Sequence, residues 1–368
     1  MKFFRNPCFL FLLATLFFVA IPCRADGPPF SYLNPIATAP IRAPQITKVG
    51  DLWYMTGTAA PFGDNTAGVK LWSSKDLAKW KLESIILAPT KEHWYKRQFA
   101  APELFPYENK WYLTFTCPDD SQPDGTPSIG LAVADTITGP YRSLTEDHPL
   151  AQGSDATLFA DDGKIYLFLS NPDGIAAIQV DLASAKTIGV PLHVLNPGPA
   201  SAWDGTTPGG PTVGIDAPSV FKHDKTYYLM YASWGRGYEE GYATSRSIHG
   251  PWTRYEKNPI YGGQEEVWSK LYKHKYTQPS SVPYTQVGHG SPFIGPDGEL
   301  WFACHGVLKG ADQQPHLILA PMSFDKHGDI RLVLTWTPQV LFLPKHFHVK
   351  LEGTRLASPA LEKLAEKP

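Results

Sequence analysis

One phrase is written five times along this chain, and it limits the fold more than any other feature. Each copy is a short apolar run, a tight polar turn and an aromatic run. They read QITKVGDLWYMTGT from Gln45, ELFPYENKWYLTFT from Glu103, TLFADDGKIYLFLS from Thr157, SVFKHDKTYYLMYA from Ser219 and PFIGPDGELWFACH from Pro292. Aligned on the turn, Gln45, Glu103, Thr157, Ser219 and Pro292 are read as equivalent, as are Trp53, Trp111, Ile165, Tyr227 and Leu300. The turn pairs Gly-Asp, Glu-Asn, Asp-Gly and His-Asp are what a tight hairpin requires. The steps between the aligned aromatic-strand positions are 58, 54, 62 and 73 residues, each room for a four-stranded sheet. Repeats of that length mean a radial or stacked array. Five sheets arranged radially make an all-β five-bladed propeller, with only short protected edges.

The ends of the chain read differently. Lys2 and Arg5 precede an apolar run from Phe9 to Ile21, and Cys23-Arg24-Ala25 offers small residues before a cut. That run is too short to span a bilayer comfortably, so residues 1–25 are expected to be a signal peptide. Residues 26–347 are then the propeller, and 348–368 a C-terminal tail with a short charged helical look. The expected destination is periplasmic or extracellular, with no membrane anchor. Of 33 Lys and Arg, three leave with the segment, so 30 bases face 35 acids. A mildly negative chain is a poor match for nucleic acid, whose phosphates demand a basic face. Only Cys117 and Cys304 remain, each ending an aromatic run of a different repeat, and they are expected as small buried residues.

A second phrase follows the aromatic runs: Thr138-Gly139-Pro140-Tyr141, His249-Gly250-Pro251-Trp252, and Ser73 to Leu77 with Trp80. These are expected to be outer strands and turns whose aromatics pack between blades. Ala200 to Val213 and Tyr261 to Val287 are longer irregular stretches, the kind that carry function in a compact domain.

Chemistry is expected where each repeat begins, because innermost strands line the central channel. Asp155 and Asp216 occupy near-matched starts, as does His289, with Asp216 and His289 counted one residue earlier than Asp155 relative to the turn. A single Asp before a strand also caps a turn. Two at near-matched blade positions, with a His in a third, favour a site.

These motifs resemble glycoside hydrolase family 43, and the resemblance runs from about Pro35 to Pro344. It is carried by Ala101-Pro102-Glu103-Leu104, Ser154-Asp155-Ala156-Thr157, Asp216-Ala217-Pro218-Ser219 and Gly288-His289-Gly290-Ser291. The resemblance implies an exported five-bladed propeller that cleaves arabinose- or xylose-containing plant polysaccharides with inversion. It also implies three carboxylates: a base Asp in the first blade, a tuning Asp in the third and an acid Glu in the fourth. By position Asp155 resembles the tuning residue and Asp216 takes the place of the acid, one methylene shorter than Glu. Where the base is expected the chain has Ala43. Asp64, Asp204 and Glu103 are alternatives for a base reaching in from elsewhere, and His289 for a different acid–base set; lost catalysis in a sugar-binding propeller is the third reading.

Arg97, Glu103, Trp203, Asp204 and His289 are the expected substrate contacts, with Trp94, Trp234 and Trp268 as further aromatic candidates. Any single Trp could equally be packing, and Arg97 could equally form an outward salt bridge. The resemblance also places His289 at the channel centre, where relatives hold calcium, although a hard cation prefers oxygen ligands. No cofactor is required, and His305 is expected to be structural. The expected partner is a polysaccharide or oligosaccharide, and the chain is expected to act as a monomer. Two functions therefore stand: an exported glycoside hydrolase with an altered catalytic set, or a non-catalytic carbohydrate-binding propeller.

Overall fold

The computed structural model of the chain describes residues 30–341, apart from 37–38, 64–65, 90–91, 123–124, 200–201, 206–213, 236 and 265–282. The expected signal peptide, the tail, Asp64 and Trp268 lie outside the described residues. Among those described there is no helix, and none is therefore long and apolar enough to cross a membrane.

Five antiparallel sheets form the body. Blade I consists of Ile41–Val49, Leu52–Ala59, Val69–Ser74 and Lys81–Leu87. Blade II is Ala100–Tyr107, Lys110–Pro118 and Pro127–Ala134, with Arg142–Ser143 and Ala151–Gln152 both pairing to its third strand. Blade III is Ser154–Asp161, Lys164–Asn171, Gly174–Asp181 and Lys186–Leu195. Blade IV is Ile215–His223, Thr226–Ser233 and Gly237–Ser245, edged by Thr253–Arg254 and Tyr261–Gln264. Blade V is Tyr284–Ile294, Leu300–Leu308, Pro315–Phe324 and Ile330–Leu332.

The repeated phrase is the first hairpin of each blade. Asp162-Gly163 and Glu108-Asn109 both have positive φ at the two turn residues, the backbone that matches the strand twist of a two-residue hairpin. First strands touch one another around the ring: blade I meets II and V, III meets II and IV, and IV meets V.

What holds the ring is apolar packing between blades, with one core cluster for each junction. Leu71 and Leu113 share the I–II core, Leu131 and Leu167 the II–III core, and Phe168 and Leu229 the III–IV core. Met230 and Phe302 share the IV–V core, and Met55 and Trp301 the V–I core. Burying each such side chain contributes roughly 1.5–3 kcal/mol, so the blades stabilise one another rather than folding alone. The second phrase behaves as expected: Tyr141, Trp252 and Trp80 pack into the I–II, III–IV and V–I junctions. A two-stranded strap, Phe30–Tyr32 with Gln339–Leu341, covers the V–I junction, and Tyr32 packs edge-on against Trp301. Asn34 ties the same seam, its side chain donating to Leu319 O and accepting from Leu319 N.

Candidate active site

In every blade the first strand carries a bulge near its start, where two residues oppose one on the second strand. The ladder skips between Arg42 and Gln45, Ala100 and Glu103, Ser154 and Thr157, Asp216 and Ser219, and Gly288 and Ser291. The first residue inside each skip has left-handed φ: Ala43 (48°), Ala101 (42°), Asp155 (55°), Ala217 (56°) and His289 (53°). Bulges of this kind re-aim a side chain next to a site, and the left-handed backbone is strain that neighbours must hold.

The neighbours do so by a shared rule, a side chain at the end of one blade's second strand accepting from the bulge of the next. Thr58 Oγ1 of blade I accepts the Ala101 N–H of blade II at 2.9 Å, and Thr116 Oγ1 of blade II accepts the Asp155 N–H of blade III at 3.1 Å. His305 Nδ1 of blade V accepts the Ala43 N–H of blade I at 3.3 Å. Blade IV has Ala232 at the matching position and cannot accept. There Glu240 replaces it from the third strand, with Oε2 taking the Gly290 N–H at 3.3 Å and the carboxyl also facing the His289 N–H. Glu240 is fully buried, and burial pushes its carboxyl well above the usual carboxylate range, with the Asp216 charge adding. Gly290 beside it tolerates no side chain, since a Cβ would lie 1.8 Å from the Phe302 ring.

The bulges converge on a cleft of ≈ 380 Å³. It is lined by Asp155, Asp216, Trp234 and Tyr238 and by Arg42, Ala43, Phe62, His289 and His305, with the Tyr238 and His305 rings 5.5 Å apart. Trp234 Nε1 donates to Asp216 Oδ2 at 2.9 Å and the Tyr238 hydroxyl to Oδ1 at 3.2 Å. Both bonds favour the ionised form, yet burial, reinforced by the Asp155 charge, outweighs them and pushes Asp216 up to about 7. Burial pushes His289 down, against the pull of Asp155. His305 lies well below its ordinary value, through burial first and then the nearness of His289 and Arg42. Both imidazoles are therefore neutral near pH 7, and because His305 Nδ1 accepts a backbone N–H, its proton sits on Nε2. Replacing Asp155 by Asn removes a charge that opposes ionisation, so Asp216 should then titrate below 7. Carboxyl-carbon NMR would read this, and an unmoved value would leave burial as the whole cause.

The model of glycosyl hydrolases family 43 matches residues 32–330. This chain belongs to that family. The family-43 chain is 27% identical over 338 residues to a non-reducing end alpha-L-arabinofuranosidase of Bacteroides ovatus, covering 88% of itself and 57% of that protein. It is 27% identical over 294 residues to a xylan 1,3-beta-xylosidase of a Vibrio species, covering 74% of itself and 49% of the relative. The chain thus spans about half the length of these two curated relatives. It spans more, 75%, of an extracellular endo-alpha-(1->5)-L-arabinanase 2 of Bacillus subtilis, at 26% identity over 378 residues and 87% of the chain. Among solved structures, that of a thermostable family-43 glycoside hydrolase superposes with a TM-score of 0.66 at 25% identity, over 84% of this chain and 98% of the other.

Within this family-43 propeller the residues expected from sequence divide. Asp155, Asp216 and His289 come together in the cleft, and Trp234 joins them. One register reading needs correction: His289 is in line with Asp155 at the bulge, not one residue earlier, and Ser291 rather than Pro292 matches Gln45. The turn of blade V is longer, with Gly295 N bonded to Glu299 O, so counting from the turn misplaces the strand by one. Asp216 alone sits one residue before its bulge, paired with Ala232.

Four expected contacts do not line the cleft. Arg97 is ion-paired with Asp120 at 2.9 Å on a partly exposed surface. Asp204 is buried in an ion pair with Arg254 at 2.6 Å and accepts from the Tyr231 hydroxyl at 3.0 Å. Trp203 packs on Tyr231 in the III–IV core, and Glu103 is buried within the blade II ladder. Trp94 is likewise core, its indole N–H bonded to Thr145 O. Cys117 and Cys304 are buried free thiols, as expected. His305 was expected to be structural; it is, and it also faces the cleft. Arg42, Tyr238 and Glu240 were not singled out at all.

The residues around His289 do not fit a protein-built calcium site. Calcium takes roughly six to eight oxygens, and no group of three or more His, Cys, Asp or Glu side chains is placed to hold a metal among the described residues. A larger outer groove of ≈ 1350 Å³ lies between blades IV and V, but its Arg254 and Asp325 are already ion-paired, with Asp204 and Arg331.

Proposed function

We propose that this chain is an exported glycoside hydrolase, periplasmic or extracellular, that cleaves O-glycosidic bonds in arabinose- or xylose-containing plant or algal glycans with inversion. The observation that carries the reading is Asp216 held up to about 7 beside Asp155 in the cleft. A general acid must keep its proton near the working pH and release it to the departing oxygen. In this reading Asp216 protonates the leaving oxygen, Asp155 tunes it, and Trp234 and Tyr238 orient the carboxyl. The activities of the B. ovatus, Vibrio and B. subtilis relatives, arabinofuranosidase, xylosidase and arabinanase, support the substrate class.

The catalytic set is altered. An inverting enzyme needs a base across the sugar from the acid, roughly 6.5–9.5 Å away. Where the family resemblance puts that base the cleft offers Ala43, and Asp155 and Asp216 are its only carboxylates among the described residues. Turnover is therefore expected to be slow. The methyl group of Ala43 also favours the second reading, a propeller that binds glycan without cleaving it. Incubating the full chain with arabino- and xylo-oligosaccharides and following product anomers by NMR separates the two. Slow release of inverted product supports the hydrolase, and binding without product supports the lectin-like reading.

A further inference from the structure

We propose that Arg42 and the space beside Ala43 form a seat for a carboxylate, so that the ligand of this cleft carries an acidic group. The inference rests on the carbohydrate reading only for the source of that group. Arg42 borders the cleft immediately before the Ala43 bulge, and its guanidinium carbon lies 4.8 Å above the Phe62 ring centroid. Among the described residues its guanidinium has no ion-pair or hydrogen-bond partner, and it stacks over Phe62. A planar guanidinium stacked on an aromatic ring is pre-organised, with its donors free to grip a carboxylate through two parallel bonds. Leaving such a cation unpaired in a partly buried cleft is costly unless a ligand completes it.

The shape of the seat follows from the repeat. At the matching bulge of blade III, Asp155 supplies a carboxylate to the cleft; in blade I the side chain stops at the Ala43 methyl, leaving room for a carboxylate from outside. The electrostatics agree. The Arg42 charge bears on His305, a neutral donor through Nε2–H, whereas Asp216 is governed by burial first and then by Asp155, Trp234 and Tyr238. An anion entering beside Ala43 thus has Arg42 and His305 as neighbours, both lining the cleft. Two sources share this chemistry: the uronic acid of an acidic glycan, and a free carboxylate ion.

Calorimetry on the full chain decides, using xylotetraose, xylotetraose branched with glucuronic acid, and sodium acetate, against wild type, Arg42→Gln and Ala43→Asp. Melting curves confirm that each variant is folded. The expected result is that the branched sugar binds roughly ten- to a hundred-fold tighter than the neutral one, and that both variants lose this preference. In Ala43→Asp an internal carboxylate occupies the seat. Acetate that binds or competes only when Arg42 is present, with no preference among sugars, also supports the seat and assigns it a free carboxylate. Arg42-dependent acetate binding with no sugar bound would sink the carbohydrate reading and leave the seat standing. Equal binding of every probe by wild type and Arg42→Gln overturns the seat, whichever sugars bind.

Discussion

Asp216→Asn is expected to lower turnover of natural oligosaccharides by about 10²–10⁴-fold, the usual contribution of a general acid. Nitrophenyl glycosides should lose much less, because nitrophenolate departs without protonation. The wild-type rate on oligosaccharides should hold steady at low pH and fall about tenfold per unit above 7 as Asp216 loses its proton; that limb should vanish in the variant. Stability should move the other way. A carboxyl raised in the folded state contributes most below its unfolded value near 4, and that contribution is lost as pH rises toward 7. Asn carries no charge to bury, so the variant should be more stable than wild type at pH 8, by something of the order of 1–4 kcal/mol. An equal loss on both substrate types, or a variant less stable at pH 8, would mean that Asp216 is not a protonated acid in the cleft.

Ala43→Asp is expected to act in the opposite direction, raising oligosaccharide turnover by about 10²–10⁴-fold. The left-handed backbone at this position suits Asp better than Ala, since a short polar side chain eases that conformation. The cleft already has room, and Arg42 next to it would keep the new carboxylate ionised, as a base must be. His305 continues to hold the Ala43 N–H, so the bulge should persist. Steady-state kinetics beside wild type checks this. A gain in kcat with little change in KM would mark a base acting in the transition state, and no gain would place the water elsewhere.

The hairpin phrase made the blades legible because a tight turn between apolar runs has one structural meaning. Asp155 and Asp216 were legible as a pair for the same reason, since near-matched strand starts in a ring must meet, even though Asp216 stands one residue before its bulge. What misled was distance along the chain. Arg97 and Asp204 look like site residues in loops, yet each is claimed by a partner 23 or 50 residues away, and nothing local announces it. Blade V slipped by one residue because its turn is longer than the others. The bulge caps did leave a trace: five residues beyond Trp53, Trp111, Ile165, Tyr227 and Leu300 stand Thr58, Thr116, Ser170, Ala232 and His305, four of them able to accept a hydrogen bond. Blade III is the exception in use, since Ser170 Oγ has no partner among the described residues. Glu240 left no such trace, because it substitutes from another strand.

That arrangement separates two demands that most sites impose on one residue. At Ala43, Ala101 and Asp155 the fixed conformation is secured by the preceding blade, and at His289 by Glu240, so the side chain presented to the ligand bears none of that burden. The mouth of the ring is then a set of interchangeable sockets: methyl, carboxylate or imidazole can be fitted while the frame keeps its shape. New specificities, or the loss of an old one, can arise there by single substitutions without first risking the fold.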